Sequence, residues 1–203
     1  MGANDGELSE LDITSNASCT TNAASPLIGI LKKSIGIEKA ILNTVHGYTA
    51  SQSIVDGPAK DWRKGRAAAQ NIVPTSTGAA IATTKAHKEL ENKFDGIAVR
   101  VPVVVGSIVD VTFIASKSTT VEEVNQALSD AAKSPEWSSV FAATDEPLVS
   151  SDIIGARFGA IADLSMTRVV DGNLVKVLAW YDNETGYTHT LTEHVAKIAK
   201  TIR

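Results

Sequence analysis

Apolar positions along the chain alternate between two rhythms, one of about 3.6 residues and one of two. After Cys19, Ala23, Leu27, Ile28, Leu31 and Ile35 fall at helical spacing and stop near Gly36, which predicts a helix; Pro26, close to its start, predicts a bend in the first turns. EKAILNTV, 38–45, reads as a strand that delivers His46 to its C-terminal end. Thr77-Gly78 precede an alanine-rich stretch that predicts a helix to about Leu90. Strands follow at GIAVRVPV and SIVDVTFIA, the second with Val109, Val111 and Phe113 on one side and Asp110 and Thr112 on the other. Thr120-Val-Glu-Glu123 is a capping box that opens a helix with Val121, Val124, Leu128 and Ala131 on one face. VVDGNLVKVLAWY reads as a hairpin turning at Asp171-Gly172. A last helix presents Tyr187, Leu191, Val195, Ile198 and Ile202 as a stripe, with Lys197, Lys200 and Arg203 toward the negative end of its dipole. Hairpin-paired strands with helices grouped against them predict an α+β fold.

One long stretch has neither rhythm: TASQSIVDGPAKDWRKGRAAAQNIVPTSTG, after Tyr48. Structureless segments of that length in compact domains are usually functional or disordered, and Trp62 and the apolar pieces argue against plain disorder. Residues 1–12 read as a polar lead-in, and core-like patterning begins near Ile13, so 13–203 is expected to be one domain. At 203 residues and 43% hydrophobic the chain is long enough for a full core. Its net charge of −4 and lack of a basic stripe point away from nucleic acid and anionic membrane surfaces. No apolar run approaches the length of a membrane span. A single cysteine without an export signal predicts a reducing, cytoplasmic setting.

That cysteine is where the chemistry gathers. Cys19 sits in SNASCTTNAASP at a predicted helix N-terminus, where unpaired backbone N–H groups and the helix dipole favour thiolate. The plainer alternative, a small buried hydrophobe, fits poorly with neighbours Ser18, Thr20, Thr21 and Asn22. His46 is the natural partner, able to lower a thiol's pKa and then to move a proton, although a lone histidine is more often structural. His87, His189 and His194 have no metal-ligand spacing to the cysteine and read as solvated or structural, and no metal site is expected. Thr20, Thr49, Ser51, Thr75, Ser76, Thr77, Gly78 and Arg100 could form an anion site, with Thr77-Gly78 opening a helix. Lys60, Arg63, Lys64 and Arg66 are either a solvated loop face or an anion funnel.

Taken together, SNASCTTN, TVHGYTASQ, DGPAKDWRKGRAAAQNIVPTSTGAA, AVRVP and WYDNETGY stand in the order and spacing of the phosphorylating glyceraldehyde-3-phosphate dehydrogenases. From about Ile13 onward the chain closely resembles that family's C-terminal catalytic domain. The resemblance implies a large mixed, mostly antiparallel sheet with helices packed on one face. It implies oxidation and phosphorylation of D-glyceraldehyde 3-phosphate to 1,3-bisphosphoglycerate through a cysteine thioester, with hydride passing to NAD in cytoplasmic glycolysis. Position by position, Cys19 matches the nucleophile and His46 its base. Ser18, Thr20, Thr77 and Gly78 match positions that hold inorganic phosphate and nearby substrate groups, while Thr49 and Arg100 match those that hold the substrate's own phosphate. Asn183, with Tyr187 close by, matches the residue that hydrogen-bonds the nicotinamide carboxamide. The 49–74 stretch matches the loop that lines the cofactor site of a neighbouring subunit in the family's homotetramer.

Departures from the family pattern qualify this picture. Only 18 residues precede Cys19 and no strand–GxGxxG–helix unit is present, so the main NAD site is expected in an N-terminal dinucleotide-binding domain outside this sequence, and the chain alone is expected to be inactive as a dehydrogenase. Ala23 stands where many members carry a second cysteine. Lys64 stands where some place a substrate-contacting arginine, exchanging a bidentate fork for a point charge. Val103-Val104-Val105-Gly106 departs from Thr-Pro-Asn-Val. Two other functions compete: a non-catalytic tetramer-assembly module, and cofactor-free Cys–His acyl transfer.

Overall fold

The computed structural model describes residues 2–201. The alternating stretches Ile37–Gly47 (β1), Ser107–Ala115 (β4) and Leu174–Tyr181 (β7) lie together at the middle of a seven-stranded sheet. Val73–Ser76 (β2) and Phe94–Val101 (β3) extend it beyond β1, and Ala160–Val170 (β6) and Phe141–Thr144 (β5) extend it beyond β7. The order is β2-β3-β1-β4-β7-β6-β5. Pairs β1/β3 and β5/β6 are parallel and the remaining four are antiparallel. The expected mixed, mostly antiparallel sheet is present.

Period-two burial fixes which side the helices cover. Val109, Val111 and Phe113 of β4, Val175, Val177 and Ala179 of β7, and Leu42 of β1 are buried with Leu27, Ile28 and Leu31 of helix α1, Cys19–Ser34. Each fully buried side chain of this size contributes about 1.5–3 kcal/mol. Helices α2 (Ala79–Ala86) and α3 (Val121–Lys133) flank α1, and α4 (Thr185–Ala199) leans on it. Close approach is possible because α1 carries Gly29: a Cβ there would lie 3.0 Å from Trp137 and 3.2 Å from the His87 ring. The opposite face of the sheet leaves Ile41, Ile97, Met166, Val170 and Leu174 exposed.

Local signals held where their chemistry is explicit. The Thr120–Glu123 capping box forms with both reciprocal hydrogen bonds. Asp171 and Gly172 both adopt positive φ at the β6–β7 turn, 49° and 72°, as a tight hairpin turn requires. α1 runs unbroken past Pro26. Three readings need correction. The alanine-rich helix ends at Ala86 and gives way to a 3₁₀ turn, Lys88–Leu90. Strands β2 and β5, four residues each, were too short to show a rhythm. In α4 the buried residues are Gly186, Thr190 and His194, while Leu191 and Val195 are exposed; the apolar stripe does not face the core. Ile202 and Arg203 lie outside the described residues.

Candidate functional site

The first turn of α1 aims at the C-terminal end of β1. Ser18 is the N-cap, extended in backbone, and its hydroxyl accepts from the Thr21 N–H at 3.1 Å. This leaves the first-turn N–H groups of Cys19 and Thr20 facing the cysteine sulfur. Cys19 Sγ lies 3.4 Å from His46 Nε2. In β1, Leu42, Thr44 and His46 alternate on the helix-covered side, so the histidine is carried under the helix terminus with only 2% of its surface exposed. The sequence pairing of Cys19 with His46 is thus met in space.

A buried hydroxyl network braces the pair from the sheet side. Tyr181, at the end of β7, sets its ring edge-on to His46, with centroids 5.8 Å apart and planes at 73°. Its hydroxyl bonds Thr20 Oγ1 at 2.9 Å and Thr44 Oγ1 at 2.7 Å, and Thr44 in turn donates to the Ile108 carbonyl at 3.2 Å. A consistent order of donors runs Thr20 to Tyr181 to Thr44 to Ile108. In that order the Thr20 hydroxyl hydrogen is committed inward, and its backbone N–H is what it offers an anion. Tyr181 and Thr44 were not singled out as site residues from sequence. The available signal was polar side chains at core-facing positions of otherwise apolar strands.

On the other side of His46 stands Arg100, its register partner across the parallel β1/β3 pair. Arg100 Nη1 is 2.6 Å from His46 Nδ1 and 3.1 Å from the Gly47 carbonyl, while its buried Nε has no partner. Burial lowers the His46 pKa to about 4, and the Arg100 charge lowers it further in the same direction, against the Gly47 carbonyl. Burial also pushes the Cys19 thiol up, opposed by the Thr20 N–H and hydroxyl and by Arg100. A helix N-terminus beside histidine led us to expect a depressed thiol pKa. Desolvation outweighs it here, and the structure describes a neutral thiol beside a neutral imidazole.

The outer predicted residues are placed differently. Thr49 hydrogen-bonds within its own loop, to Gln52 and Ser51. Thr77 Oγ1 accepts from the Ala79 N–H at 3.2 Å, and Gly78 is the N-cap of α2, with open space where a side chain would be. Asn183 Oδ1 accepts from Gly106 N–H and Ser107 Oγ, both at 3.1 Å, which fixes the amide and turns its NH₂ away from that contact. Tyr187 lies in the first turns of α4. Lys64 forms no ion pair among the described residues. No direct hydrogen bond joins Thr49, Lys64, Thr77, Gly78, Asn183 or Tyr187 to Cys19 or His46. The remaining histidines prove structural in two cases: His87 bonds Ser25 Oγ and its carbonyl, and His194 bonds Thr14. No helix among the described residues is long and apolar enough to cross a membrane.

Comparison with known proteins matches this architecture to one family. The family model described as "Glyceraldehyde 3-phosphate dehydrogenase, C-terminal domain" matches residues 18–183. The glyceraldehyde-3-phosphate dehydrogenase of Mycolicibacterium smegmatis is 45% identical over 203 residues, all of this chain and 59% of that protein. That of Borreliella burgdorferi is 45% identical over 202 residues, 98% of this chain and 60% of its own. That of Geobacillus stearothermophilus is 46% identical over 187 residues, 92% of this chain and 56% of its own. The chain spans about three fifths of the length of the curated relatives it matches.

Proposed function

The chain belongs to the glyceraldehyde 3-phosphate dehydrogenase family, through its C-terminal domain, and from that premise we propose that it supplies the catalytic half of the glycolytic oxidation and phosphorylation of D-glyceraldehyde 3-phosphate. The single observation carrying this reading is the 3.4 Å approach of Cys19 Sγ to His46 Nε2 at a helix N-terminus. His46 takes the thiol proton at Nε2, and the sulfur lone pair forms a bond to the aldehyde carbon. The carbonyl π pair moves to oxygen, which the Cys19 N–H stabilises as it becomes negative. His46 then accepts the hemithioacetal proton as hydride departs, leaving an acyl group on Cys19. Inorganic phosphate attacks that thioester, the C–S bond breaks, and 1,3-bisphosphoglycerate leaves with Cys19 restored.

Residues at the rim divide the remaining tasks in this proposal. Ser18, the Thr20 N–H, Thr77 and Gly78 hold inorganic phosphate, and Thr49 and Arg100 hold the substrate's phosphate, with Lys64 as a further cation. NAD, when bound, supplies the hydride acceptor. Asn183 fits its nicotinamide end, because two donors hold its Oδ1 and leave the NH₂ to meet a carboxamide oxygen. An N-terminal dinucleotide-binding domain supplies the rest of that site, and the assembled enzyme is a cytoplasmic homotetramer. The exposed apolar row Ile41, Ile97, Met166, Val170 and Leu174, with Ile54, Val55 and Trp62 of the 48–72 loop, supports assembly with further copies.

An activated ester tests the core of the proposal without cofactor. The chain should give an acylation burst followed by slow turnover, and Cys19→Ser should abolish it. Phosphate should speed deacylation, and Thr77→Ala should weaken that acceleration by about 1–3 kcal/mol, whereas Arg100→Leu should leave the phosphate-driven step nearly unchanged. A folded chain with an alkylatable thiol and no burst would favour the assembly-module reading.

A further inference from the structure

His46 Nδ1 has two neighbours that make incompatible demands on it. The Gly47 carbonyl oxygen, 2.6 Å away, can only accept, so that contact calls for hydrogen on Nδ1. Arg100 Nη1, also 2.6 Å away, can only donate, so that contact calls for a bare Nδ1 lone pair. With the guanidinium in place Nδ1 is the acceptor, and the neutral ring carries its hydrogen on Nε2, directed at Cys19 Sγ. A ring in that tautomer has no lone pair facing sulfur and cannot take the thiol proton. Nor does the imidazolium suit the arrangement, since its Nδ1–H would face the guanidinium N–H. Removing Arg100 from Nδ1 reverses both statements. Nδ1–H then donates to Gly47, and Nε2 turns its lone pair to the thiol.

The arginine has reason to leave. Its Nε is a buried donor without a partner, and its fork meets His46 and Gly47 through Nη1 alone. A phosphate group accepts from such a fork bidentately and with opposite charge, which a neutral ring nitrogen does not. We propose that Arg100 gates the Cys19–His46 pair, holding the histidine in the tautomer that cannot act as a base until the phosphate of the substrate draws the guanidinium off Nδ1. The gate rests on the role proposed above for Arg100 and adds a regulatory consequence: recognition of a phosphate at one end of the substrate switches on the base at the other. The groups facing the His46 ring are Cys19 from α1, Arg100 from β3 and the uncharged, buried Tyr181 from β7, so Arg100 is the fixed charge in the balance. Its contribution lowers the histidine pKa, consistent with a base held off.

Nitrogen-15 labelling of the histidines in this chain reads the tautomer directly, with His46 assigned by His46→Asn. Unliganded wild type should show Nε2–H. Titration with glycerol 3-phosphate, which has the phosphate and no aldehyde, should move His46 to the Nδ1–H form and raise its midpoint by roughly one pH unit or more. Arg100→Leu should show both changes without ligand and no response to it, and Arg100→Gln should do the same if leucine prevents folding. The buried His87 resonance, unmoved, marks an intact fold in each case. Nδ1–H in unliganded wild type, a wild-type tautomer that ignores the full titration, or a folded Arg100 variant that matches wild type would each overturn the gate. The readout needs no turnover, so a tautomer switch without an acylation burst would count against the proposed function alone, and a burst without a switch against the gate alone.

Discussion

The helix-covered side of the sheet and the 48–72 loop use the same kinds of residue in opposite ways. Trp137 is 5% exposed, seated against Gly29 of α1, whereas Trp62 is 89% exposed at the crest of the loop. Under the helices, polar groups are paired as thoroughly as apolar ones are packed: Thr20, Tyr181 and Thr44 satisfy one another around the Cys19–His46 pair. In the loop, Ile54, Val55 and Ile72 face outward, and the segment is tied by short local bonds such as Gly57–Gly65, Ser53–Lys64 and Asp56 with Arg66 and Ala67. The fold itself therefore preorganises the nucleophile and its base. Groups that would hold substrate anions sit where the chain's own packing constrains them less.

The sharpest way to break that contrast is to delete the buried indole. Trp137→Ala should cost about 3–5 kcal/mol, read as the fall in urea midpoint at constant slope. A loss under about 1 kcal/mol would mean that the α1–Trp137 contact is looser than Gly29 implies.

Acid should act on the packed side next. His46 has a folded pKa of about 4, below its ordinary value near 6.5, so the unfolded chain binds the extra proton between those values. Stability from this group is complete above the unfolded value and is lost as pH falls toward the folded one. Between about pH 7.5 and about pH 5 the loss should be about 2 kcal/mol. His87, lowered chiefly by burial against Ser25, adds in the same direction. His46→Gln should flatten the pH dependence of the urea midpoint by its share; an unchanged slope would mean that His46 is not buried as a neutral ring.

Tyr181→Phe probes the hydroxyl network without removing the ring. It leaves Thr20 and Thr44 each short of one partner in a buried setting, at a cost of about 1–2 kcal/mol. Thr44 retains the Ile108 carbonyl, which limits the loss. If the variant is as stable as wild type, the threonines have found other partners and the relay of donors drawn here is wrong.

How far the sequence could be read follows the same division. β4, the Thr120 capping box and the Asp171-Gly172 turn were legible because each couples a local rule to a single geometry. Cys19 and His46 were legible as chemistry, and the family motifs joined them. The ionisation of the pair was not: a helix terminus favours thiolate, but sequence cannot weigh that against burial, which emerges only when β1 carries His46 under α1. Tyr181 was hidden inside an apolar strand rhythm that it does not disturb. The outward stripe of α4 misled because period alone cannot say which of two neighbouring faces meets the core. Gly186, Thr190 and His194 are small or polar, yet they are the residues that do.

The smallest expected effect belongs to Trp62, and it sharpens the comparison most cleanly because the residue type is that of Trp137. With 89% of its surface exposed, the ring makes little contact that folding creates, so Trp62→Ala should change the stability of the dilute chain by no more than about 0.5 kcal/mol. A change that small is informative only beside association, since an exposed indole flanked by Ile54 and Val55 is costly to leave in water if a partner surface is available. Sedimentation of wild type and Trp62→Ala across a concentration series makes the distinction. If copies assemble through this loop, the variant should shift the series toward monomer while its dilute-limit urea midpoint stays put. A loss of stability above about 1 kcal/mol that persists at the lowest concentration would mean that the indole packs within its own chain, and the division between a preorganised pair and an open loop would fail at its most exposed point.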